Sequence, residues 1–414
     1  MKAKRKDSNT AAADRRAHMK WWTEARFGMF IHFGPFSQWG SERFRYVSEH
    51  RHAMSPKTYD RKFVEGLTPR KNCVRQWAET AKKAGMKYMV LTAKHHEGFC
   101  LWDSKLTDFN SVRLGPKFDM VGEYVEACRS CGLKAGLYYS LMDGHHADGR
   151  RCAYSEPARR RFLEFTRGLL RELMTGYGEI SVLWYDGPSP LGFASEWESH
   201  EMNRMVRQLQ PGIIINDRSL TAEDFTCPEG HISPPNDPDR DWEACMTFNG
   251  VWGYQPKPPQ EYRTAREIVQ MLNKVSANSG NLLLNVGPAP GDGLISELEV
   301  QRLTTVGKWL RKYGQAVYGR LDRVDGLVTT SNEINASWSR RGNTAYLWLP
   351  DWPAGEAVIR KVKARVNGCF LMPEGKALRF RQSDGTLRIK VPRRCPDRTC
   401  DVGIVRLEFA SYPR

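Results

Sequence analysis

The chain alternates short apolar runs with longer amphipathic segments from Trp21 to about Gly319. The runs are rich in Val, Ile, Leu and aromatic residues and lack alternating polar positions, a pattern typical of parallel strands buried on both faces. Seven such runs occur, at residues 29–37, 87–96, 134–141, 181–188, 212–218, 244–250 and 281–288. The pattern therefore predicts seven buried strands in this part of the chain.

The segments between the runs carry the apolar spacing of helices that cover a sheet. Helices are predicted at 72–84, 120–131, 157–175, 196–209 and 265–277, with Gly85, Gly132 and Gly176 as C-caps. Seven repeats of this kind predict an α/β fold, namely a TIM-like (β/α) barrel with one strand or helix degenerate. A doubly wound open sheet is the alternative, and the lack of a GxGxxG or Walker loop after any early strand disfavours it.

After about Arg320 the pattern changes to short, partly alternating segments such as NTAYLWLP, TLRIKVP and GIVRLEFAS, with Gly, Pro and Asp turns between them. This pattern predicts a C-terminal antiparallel β-sandwich domain. The predicted organisation is a basic N-terminal tail over residues 1–20, a catalytic (β/α) barrel over 21–319 and the sandwich over 320–414.

Composition excludes several classes of protein. The 414 residues include 13 Trp, 15 Tyr and 17 Phe, which is too much aromatic surface for a disordered chain. No apolar stretch approaches the roughly 18 residues that a bilayer requires, so no membrane is expected as a partner. The formal net charge of +16 is spread along the chain, with no concentrated basic face and no reading motif, so nucleic acid is not expected either.

The N-terminal stretch is basic but has no apolar segment, so it does not resemble a secretory signal. The ten cysteines are scattered, and the CxxC spacing of Cys128 and Cys131 has no second pair, which argues against a disulfide framework or a zinc site. The sequence therefore predicts a reducing, cytoplasmic location.

In a (β/α) barrel the functional residues concentrate at the carboxyl ends of the strands. Five consecutive runs end in polar or titratable side chains, which are costly to bury unless they are hydrogen-bonded or used. In chain order these residues are His32, His95, His96, Tyr139, Trp184, Asp186, Asn216, Asp217 and Arg218. Such a series predicts an active site.

These residue types suit a pyranose. Aromatic rings cover the apolar face of the sugar, His and Arg donate to hydroxyls, and two carboxylates carry out the bond chemistry. Asp186 precedes the Gly187-Pro188 turn, which would project it from the strand end, so it is the best candidate nucleophile. A turn-capping aspartate is the structural alternative.

Seven motifs, in order from Trp21 to Gly293, resemble the α-L-fucosidases of glycoside hydrolase family 29. They read WWTEARFGMFIHFGPFS, TAKHHEGFCLWDS, GLYYS, LWYDGP, INDR, DWEACMTFNGVWGY and SGNLLLNVGPAPGDG. The resemblance implies a TIM-like barrel followed by a β-sandwich, and a retaining mechanism through a covalent fucosyl-aspartate. It implies no metal and no cofactor.

Carried over by motif, the resemblance implies that Asp186 is the nucleophile. The implied ligands of the fucose ring and hydroxyls are His32, Glu42, His95, His96, Tyr139, Trp184, Arg218 and Trp252. An aromatic such as Trp184 or Phe33 is expected to contact the C6 methyl group. One departure stands out: the family commonly has Glu-Trp-Tyr after the first strand, whereas this chain has Glu42-Arg43-Phe44.

Two residues compete for the acid/base role. Glu229 lies in DFTCPEGHI, which resembles the loop that carries the acid in several family members, and Glu243 lies in the DWEACMT motif. Glu229 is favoured because a loop residue can move toward the leaving group, whereas a Glu beside a strand suits a fixed structural role.

The expected partner is a fucosylated oligosaccharide or glycoconjugate, and a homo-oligomer is left open. Two alternative functions remain at this point: a glycosidase of the same fold acting on a fucose-like galactoside, and a non-catalytic carbohydrate-binding barrel. A metal hydrolase is disfavoured because the first strand has a single histidine, His32, and because His95 and His96 would point to opposite faces of a continuing strand.

Overall fold

The structure is a computed structural model that describes residues 17–38, 63–322 and 337–411. Glu42 and the Glu42-Arg43-Phe44 departure lie outside the described residues, so their predicted roles have no structural counterpart here. No helix within the described residues is long and apolar enough to cross a membrane. All ten cysteines are among the described residues, and each is a free thiol.

The seven predicted apolar runs each overlap a strand of one parallel sheet. The strands are β1 (Phe27–Ile31), β2 (Tyr88–Lys94), β3 (Lys134–Ser140), β4 (Val182–Asp186), β5 (Ile214–Ile215), β6 (Glu243–Thr247) and β7 (Asn281–Val286). Their order across the sheet is β5-β4-β3-β2-β1-β7-β6. Every neighbouring pair is parallel, so the carboxyl ends of all seven strands lie at the same edge.

Helices follow the strands close to the five predicted positions, and a further helix at 297–313 was not predicted. They are α1 (Cys73–Ala84), α2 (Met120–Cys131), α3 (Glu156–Gly176), α4 (Ala194–Trp197), α5 (Ser199–Leu209), α6 (Ala265–Ala277) and α7 (Glu297–Tyr313). Gly85 and Gly132 end their helices in the left-handed conformation, as predicted. Gly176 instead lies inside α3, which Tyr177 caps, and Glu198 breaks the single helix predicted at 196–209 into α4 and α5.

Successive side chains of each strand alternate between two buried layers. The outer layer packs against the helices and includes Met29, Tyr139, Tyr185 and Leu284. The inner layer lies on the other face of the sheet and includes Phe30, Tyr138, Trp184 and Leu283. An inward-facing residue at the carboxyl end of a strand therefore lies directly above the inner layer.

The edge strands β5 and β6 are both hydrogen-bonded to the segment 224–230. On one side, the Asp224 N–H donates to the Ile215 carbonyl at 2.9 Å. On the other side, Cys245 donates to the Pro228 carbonyl at 3.1 Å, and Gly230 donates to the Cys245 carbonyl at 2.9 Å. The single bridges that this segment makes to β6 and to Asn216 after β5 are parallel.

The amino end of the inner layer is covered by a helix over residues 17–25. Met19 and Trp22 are buried in the inner layer, and the Trp22 ring lies 4.6 Å from that of Phe225. The basic tail predicted over residues 1–20 therefore extends too far, because its last four residues are helical and one of them is part of the core.

The C-terminal part consists of two antiparallel sheets. Their strands are β8 (Ser337–Arg341), β9 (Thr344–Leu349), β10 (Glu356–Ile359), β11 (Val366–Leu371), β12 (Lys376–Ala377), β13 (Phe380–Ser383), β14 (Thr386–Lys390) and β15 (Gly403–Phe409). The orders are β12-β11-β15-β9-β8 and β10-β14-β13. Side chains of both sheets, such as Leu347 and Leu387, share one buried apolar cluster.

The C-terminal sheets pack against the α/β part through α7. The rings of Trp309 and Trp348 lie 5.2 Å apart, and the Trp309 indole N–H donates to the Val402 carbonyl at 3.0 Å. Arg266 of α6 forms ion pairs with Asp351 at 2.8 Å and Asp401 at 3.1 Å. The C-terminal sheets therefore contact the α/β part through α6 as well as α7.

Candidate active site

Most of the predicted site residues meet at the carboxyl edge of the parallel sheet. Asp186 is the last residue of β4, His32 follows β1, and both His95 and His96 follow β2 directly. Arg218 lies in a short 3-10 turn after β5. The shared edge of the sheet brings together side chains that are distant in the sequence, as expected for parallel strands.

Two donors bind the carboxylate of Asp186. Arg218 Nη1 donates to Oδ1 at 2.8 Å, and the Tyr138 hydroxyl donates to Oδ2 at 2.9 Å. Trp184 lies beneath both donors, because its ring is stacked 5.8 Å from that of Tyr138 and 4.9 Å from the Arg218 guanidinium carbon. The Trp184 ring thus packs against both donors. The Asp186 side chain remains 19% exposed.

The surroundings of Asp186 keep it ionised. Burial alone would raise the pKa of its carboxyl, but the charge of Arg218 and its hydrogen bond hold that pKa below its ordinary value. Cys227 and the carboxylates of Asp186 and Glu229 raise the pKa of Arg218 against the opposing effect of its burial. A carboxylate that stays ionised can act as a nucleophile.

Arg218 also joins Asp186 to a second carboxylate. Its other terminal nitrogen, Nη2, lies 2.8 Å from Glu229 Oε2. One planar guanidinium holds the nearest oxygens of two such carboxylates no more than roughly 8 Å apart. The Glu229 side chain is 43% exposed, so a leaving group could approach it from solvent.

Glu243 occupies a different place. It is the first residue of β6, at the amino edge of the sheet, and it is fully buried. The Tyr88 hydroxyl and the Trp184 indole N–H both donate to its carboxylate, the latter at 3.1 Å. Burial raises the pKa of Glu243 to about 7 despite these two hydrogen bonds. A pKa near 7 is typical of an acid catalyst. The pKa of Glu243, however, is raised by burial in the protein core and not by neighbouring groups of the active site.

The three histidines are neutral members of the site. Burial lowers the pKa of each of His32, His95 and His96 to about 3. His32 Nδ1 lies 2.6 Å from Asn285 Oδ1, and its ring is 5.1 Å from that of Trp252, which the sequence also assigned to the site. The rings of His95 and His96 lie 4.2 Å apart.

The position of His95 and His96 corrects one argument from the sequence. They were expected to point to opposite faces of a continuing strand, but β2 ends at Lys94 and both rings turn toward the site. His95 stacks on Tyr138 at 5.6 Å, and His96 Nε2 lies 3.7 Å from Asp186 Oδ2. Among the residues with a described placement, no group of three His, Cys, Asp or Glu side chains is arranged to hold a metal ion.

Two aromatic residues that the sequence places at the site lie in the outer layer instead. Tyr139 was assigned to the sugar, but it lies in the outer layer, where the Lys94 ammonium is 4.8 Å from its ring centre. Its neighbour Tyr138 faces the site instead. Phe33, suggested as a contact for a methyl group, also belongs to the outer layer and packs 5.5 Å from Trp77.

Sequence reasoning missed several residues of the site besides Tyr138. Ser140 contacts His96, Asn285 contacts His32, and Phe36 lies 4.3 Å from the His95 ring. The buried carboxylate of Glu97 lies 3.2 Å from His95 Nδ1. One signal was available: Asn285 is a polar residue inside the apolar run NLLLNV, and buried polar residues of that kind are paired or used.

Two carboxylates on one guanidinium, beside neutral histidines and aromatic rings, place this chain among the glycoside hydrolases. The family model for alpha-L-fucosidase matches residues 1–315. The chain therefore belongs to the alpha-L-fucosidase family, and it is an enzyme that acts on fucose-containing substrates, as the recognised motifs predicted.

Individual relatives agree with this assignment. The plasma alpha-L-fucosidase of Homo sapiens is 34% identical over 348 residues, which cover 76% of this chain and 72% of the relative. Alpha-L-fucosidase isoenzyme 1 from Paenibacillus thiaminolyticus has a TM-score of 0.84 at 30% identity, with 96% of this chain and 100% of that chain covered.

A third relative bears on mechanism. A structure of a GH29 alpha-L-fucosidase from Bacteroides thetaiotaomicron contains a trapped covalent intermediate formed with 2-fluoro-fucosyl fluoride. It has a TM-score of 0.82 at 26% identity and covers 95% of this chain and 96% of that chain.

Proposed function

We propose that this protein is a retaining exo-glycosidase that releases terminal α-L-fucose through a covalent glycosyl-aspartate. Asp186 is the nucleophile and Glu229 the acid/base. The observation that carries the proposal is the shared contact of both carboxylates with Arg218, at 2.8 Å each. No other described glutamate or aspartate forms an ion pair with that guanidinium.

In the first step, an oxygen of Asp186 forms a bond to the anomeric carbon of fucose as the bond to the aglycone oxygen breaks. Glu229 gives its proton to the departing oxygen. In the second step, Glu229 takes a proton from water, the water oxygen bonds to the anomeric carbon, and the Asp186 ester bond breaks. Two inversions leave the configuration retained.

The Arg218 bridge limits the distance between the two carboxylates. Retaining enzymes hold the two groups about 5–5.5 Å apart, and inverting enzymes hold them about 6.5–9.5 Å apart. The Arg218 bridge excludes a separation near the upper end of the inverting range for the nearest oxygens. The covalent intermediate described for the related Bacteroides enzyme supports the same mechanism here.

Glu243 is the weaker candidate for the acid. It lies at the opposite edge of the sheet from Asp186, and both of its oxygens accept hydrogen bonds from core side chains. A proton donor must reach the leaving group directly or through one water. The fully buried Glu243 meets that requirement only if the inner layer opens.

The proposal includes a complete (β/α) barrel in which the segment 224–230 takes the place of the missing strand between β5 and β6. Its hydrogen bonds to both edge strands support this view. Closure would position Glu229, which lies at the end of that segment, on the same rim as Asp186. The degenerate eighth member is therefore the element that delivers the acid/base.

Trapping tests the proposal directly. The enzyme is incubated with 2-fluoro-fucosyl fluoride, and the peptides are then analysed by mass spectrometry. We expect one fluorofucosyl group on the peptide that contains Asp186, since the carboxylate displaces fluoride from the anomeric carbon. An Asp186→Asn variant should stay unlabelled.

The configuration of the first product provides a second test. Proton NMR of the initial hydrolysis of 4-nitrophenyl α-L-fucoside should show α-L-fucose before mutarotation. Appearance of the β-anomer first, or a label on a residue other than Asp186, would contradict the mechanism. Faster release from an α-L-galactoside or a β-D-galactoside than from the fucoside would contradict the substrate assignment.

A further inference from the structure

The hydroxyl of Ser140 determines which nitrogen of His96 carries the proton. Ser140 Oγ lies 2.9 Å from the Met142 carbonyl and 2.7 Å from His96 Nδ1. A serine hydroxyl has a single proton and a carbonyl can only accept, so both contacts are hydrogen bonds only when the hydroxyl donates to Met142. Ser140 Oγ must then accept from His96, which places the ring proton on Nδ1.

Asn285 determines which ring nitrogen of His32 carries the proton. Its amide Nδ2 donates to the Trp252 carbonyl at 2.7 Å, which fixes the orientation of the amide group. The Oδ1 atom therefore faces His32 Nδ1 at 2.6 Å, and an amide oxygen only accepts. His32 also carries its proton on Nδ1.

The packing leaves these arrangements little freedom. Ser140 and Asn285 are both buried. A Cβ atom placed on Gly187, next to Asp186, would lie 2.8 Å from His96 Nδ1 and 3.2 Å from Ser140 Oγ. Glycine at this position, where φ is 57°, therefore lets the backbone close over the contact between Ser140 and His96. Burial also keeps both rings neutral, since it lowers the pKa of each to about 3.

We infer that Ser140 and Asn285 are positioning residues that fix His96 and His32 as neutral rings protonated on Nδ1, so that each Nε2 accepts a hydrogen bond from a substrate hydroxyl. This inference rests on the proposed fucosidase function. It reverses the expectation from the sequence that the histidines donate to the sugar. The two histidines then recognise substrate hydroxyl groups as hydrogen-bond donors.

The fixed tautomer also protects the nucleophile. His96 Nε2 lies 3.7 Å from Asp186 Oδ2, so a small rotation of the ring would bring the two atoms to hydrogen-bond distance. A proton on Nε2 would bring a second donor to the oxygen that Tyr138 already binds at 2.9 Å, and would lower its nucleophilicity. Because Ser140 holds the proton on the far side of the ring, Oδ2 receives one donor fewer.

Neutron diffraction from deuterium-exchanged crystals of the full-length enzyme tests the tautomers without reference to activity. We expect deuterium on Nδ1 of His96 and of His32, and none on either Nε2. Deuterium on Nε2 of either ring would overturn the inference for that ring. This experiment remains decisive even if the enzyme does not hydrolyse fucosides.

Kinetics test the consequence for substrate recognition. In Ser140→Ala the His96 ring loses its Nδ1 acceptor and can move its proton to Nε2. We expect kcat/KM on 4-nitrophenyl α-L-fucoside to fall about 10- to 100-fold. The 3-fluoro and 4-fluoro analogues, in which fluorine replaces one hydroxyl and cannot donate, provide the specific readout.

The preference for hydroxyl over fluorine is the ratio of kcat/KM for the fucoside to kcat/KM for the fluoro analogue. For one of the two analogues we expect this ratio to be at least about tenfold smaller in Ser140→Ala than in wild type. The inductive effect of fluorine is common to both enzymes and cancels in the comparison. An unchanged preference at both positions, or full kcat/KM in Ser140→Ala, would contradict the proposed role of Ser140.

The chain offers a matched control. Ser339, in β8, is buried, donates to the Ala316 carbonyl at 2.7 Å and accepts from the Trp348 indole N–H at 2.9 Å. It repeats the bonding pattern of Ser140 outside the site. Ser339→Ala should lose comparable thermal stability and keep the kinetic constants and the hydroxyl preference of wild type. If wild type fails to cleave the fucoside, the proposed function fails, and the neutron result still decides the tautomers.

Discussion

Arg218 donates a hydrogen bond of 2.8 Å to Asp186, and this contact keeps the proposed nucleophile ionised. The guanidinium offsets the burial that would otherwise favour the protonated carboxyl, so that the pKa of Asp186 lies below its ordinary value. Because the second nitrogen of the same group contacts Glu229, Arg218 also sets the spacing of the two carboxylates. Catalysis should therefore be sensitive to Arg218 in both rate and pH dependence.

Replacing Arg218 by Met should move the acid limb of the pH profile of kcat/KM to higher pH. The active form of Asp186 is ionised, and loss of the cation leaves burial to raise its pKa. We also expect kcat/KM at the optimum to fall about 10²- to 10³-fold, as for the loss of one preorganised donor in other enzymes. Initial rates on 4-nitrophenyl α-L-fucoside between pH 3 and 9 measure both effects.

Arg207→Met is the control for this experiment. Arg207 also contacts two carboxylates, Glu223 at 2.7 Å and Asp224 at 2.9 Å, but it has no contact with Asp186. Its loss should affect stability and leave the acid limb in place. An acid limb that stays fixed in Arg218→Met would show that Asp186 does not govern the ionisation seen in the kinetics.

Glu229→Ala should separate the two steps of the proposed reaction. Without an acid, glycosides with poor leaving groups should lose about 10²- to 10⁴-fold in rate, whereas 4-nitrophenyl α-L-fucoside, whose leaving group needs little protonation, should keep a fast first step. Azide should restore turnover and yield the fucosyl azide, since it replaces the water that Glu229 activates. Product analysis and burst kinetics provide the measurement.

Glu243→Ala serves as the comparison, because both glutamates were candidates from the sequence. It should not be rescued by azide. Full activity of Glu229→Ala on a fucosylated oligosaccharide would show that Glu229 is not the acid/base. Rescue of Glu243→Ala by azide would assign that role to Glu243.

The two adjacent tyrosines of β3 give a test of strand register. Tyr138→Phe removes the hydroxyl that donates to Asp186 at 2.9 Å, and we expect kcat to fall about 10- to 100-fold with little change in stability. Tyr139→Phe, in the outer layer, should keep kcat and lose stability modestly. Kinetics and thermal unfolding of both variants settle the comparison, and the opposite pattern would place the outward-facing ring in the site.

This pair also shows how far the sequence could reach. The apolar runs predicted seven parallel strands correctly because a strand buried on both faces has an unmistakable composition. In such a strand, however, both faces are apolar, so composition does not reveal which of Tyr138 and Tyr139 faces inward. That choice depends on the pairing of β3 with β4, where Tyr138 lies beside Trp184, and pairing is a long-range property.

The histidines illustrate the same limit. Their presence at strand ends was visible in the sequence, but their partners Ser140 and Asn285 come from other strands. Hydrogen bonds between distant segments fix the proton on each ring, and no local pattern encodes them. The segment 224–230 was likewise not predicted as an element, because it is held by single bridges to its neighbours and lacks an apolar run.

Glu243 should make the stability of the protein depend on pH. Its pKa is raised from 4.5 to about 7 in the folded state, so the folded protein binds this proton more tightly than the unfolded chain does. The resulting stabilisation is fully present below about pH 4.5 and is lost as the pH rises through 7. The midpoint of thermal unfolding of wild type should accordingly contain a component that decreases between pH 5 and 8.

Glu243→Gln removes this component, because an amide does not titrate in that range. The variant should show a smaller decrease of the unfolding temperature between pH 5 and 8, and a lower stability at pH 5, by about 1–3 kcal/mol, where its amide group meets the Tyr88 and Trp184 donors. Glu299, whose pKa burial also raises to about 7, contributes with the same sign, so Glu299→Gln is the reference for a purely structural glutamate. Equal slopes in wild type and Glu243→Gln would mean that Glu243 is already ionised in the folded core, and Tyr88 and Trp184 would then be sufficient to hold a buried charge.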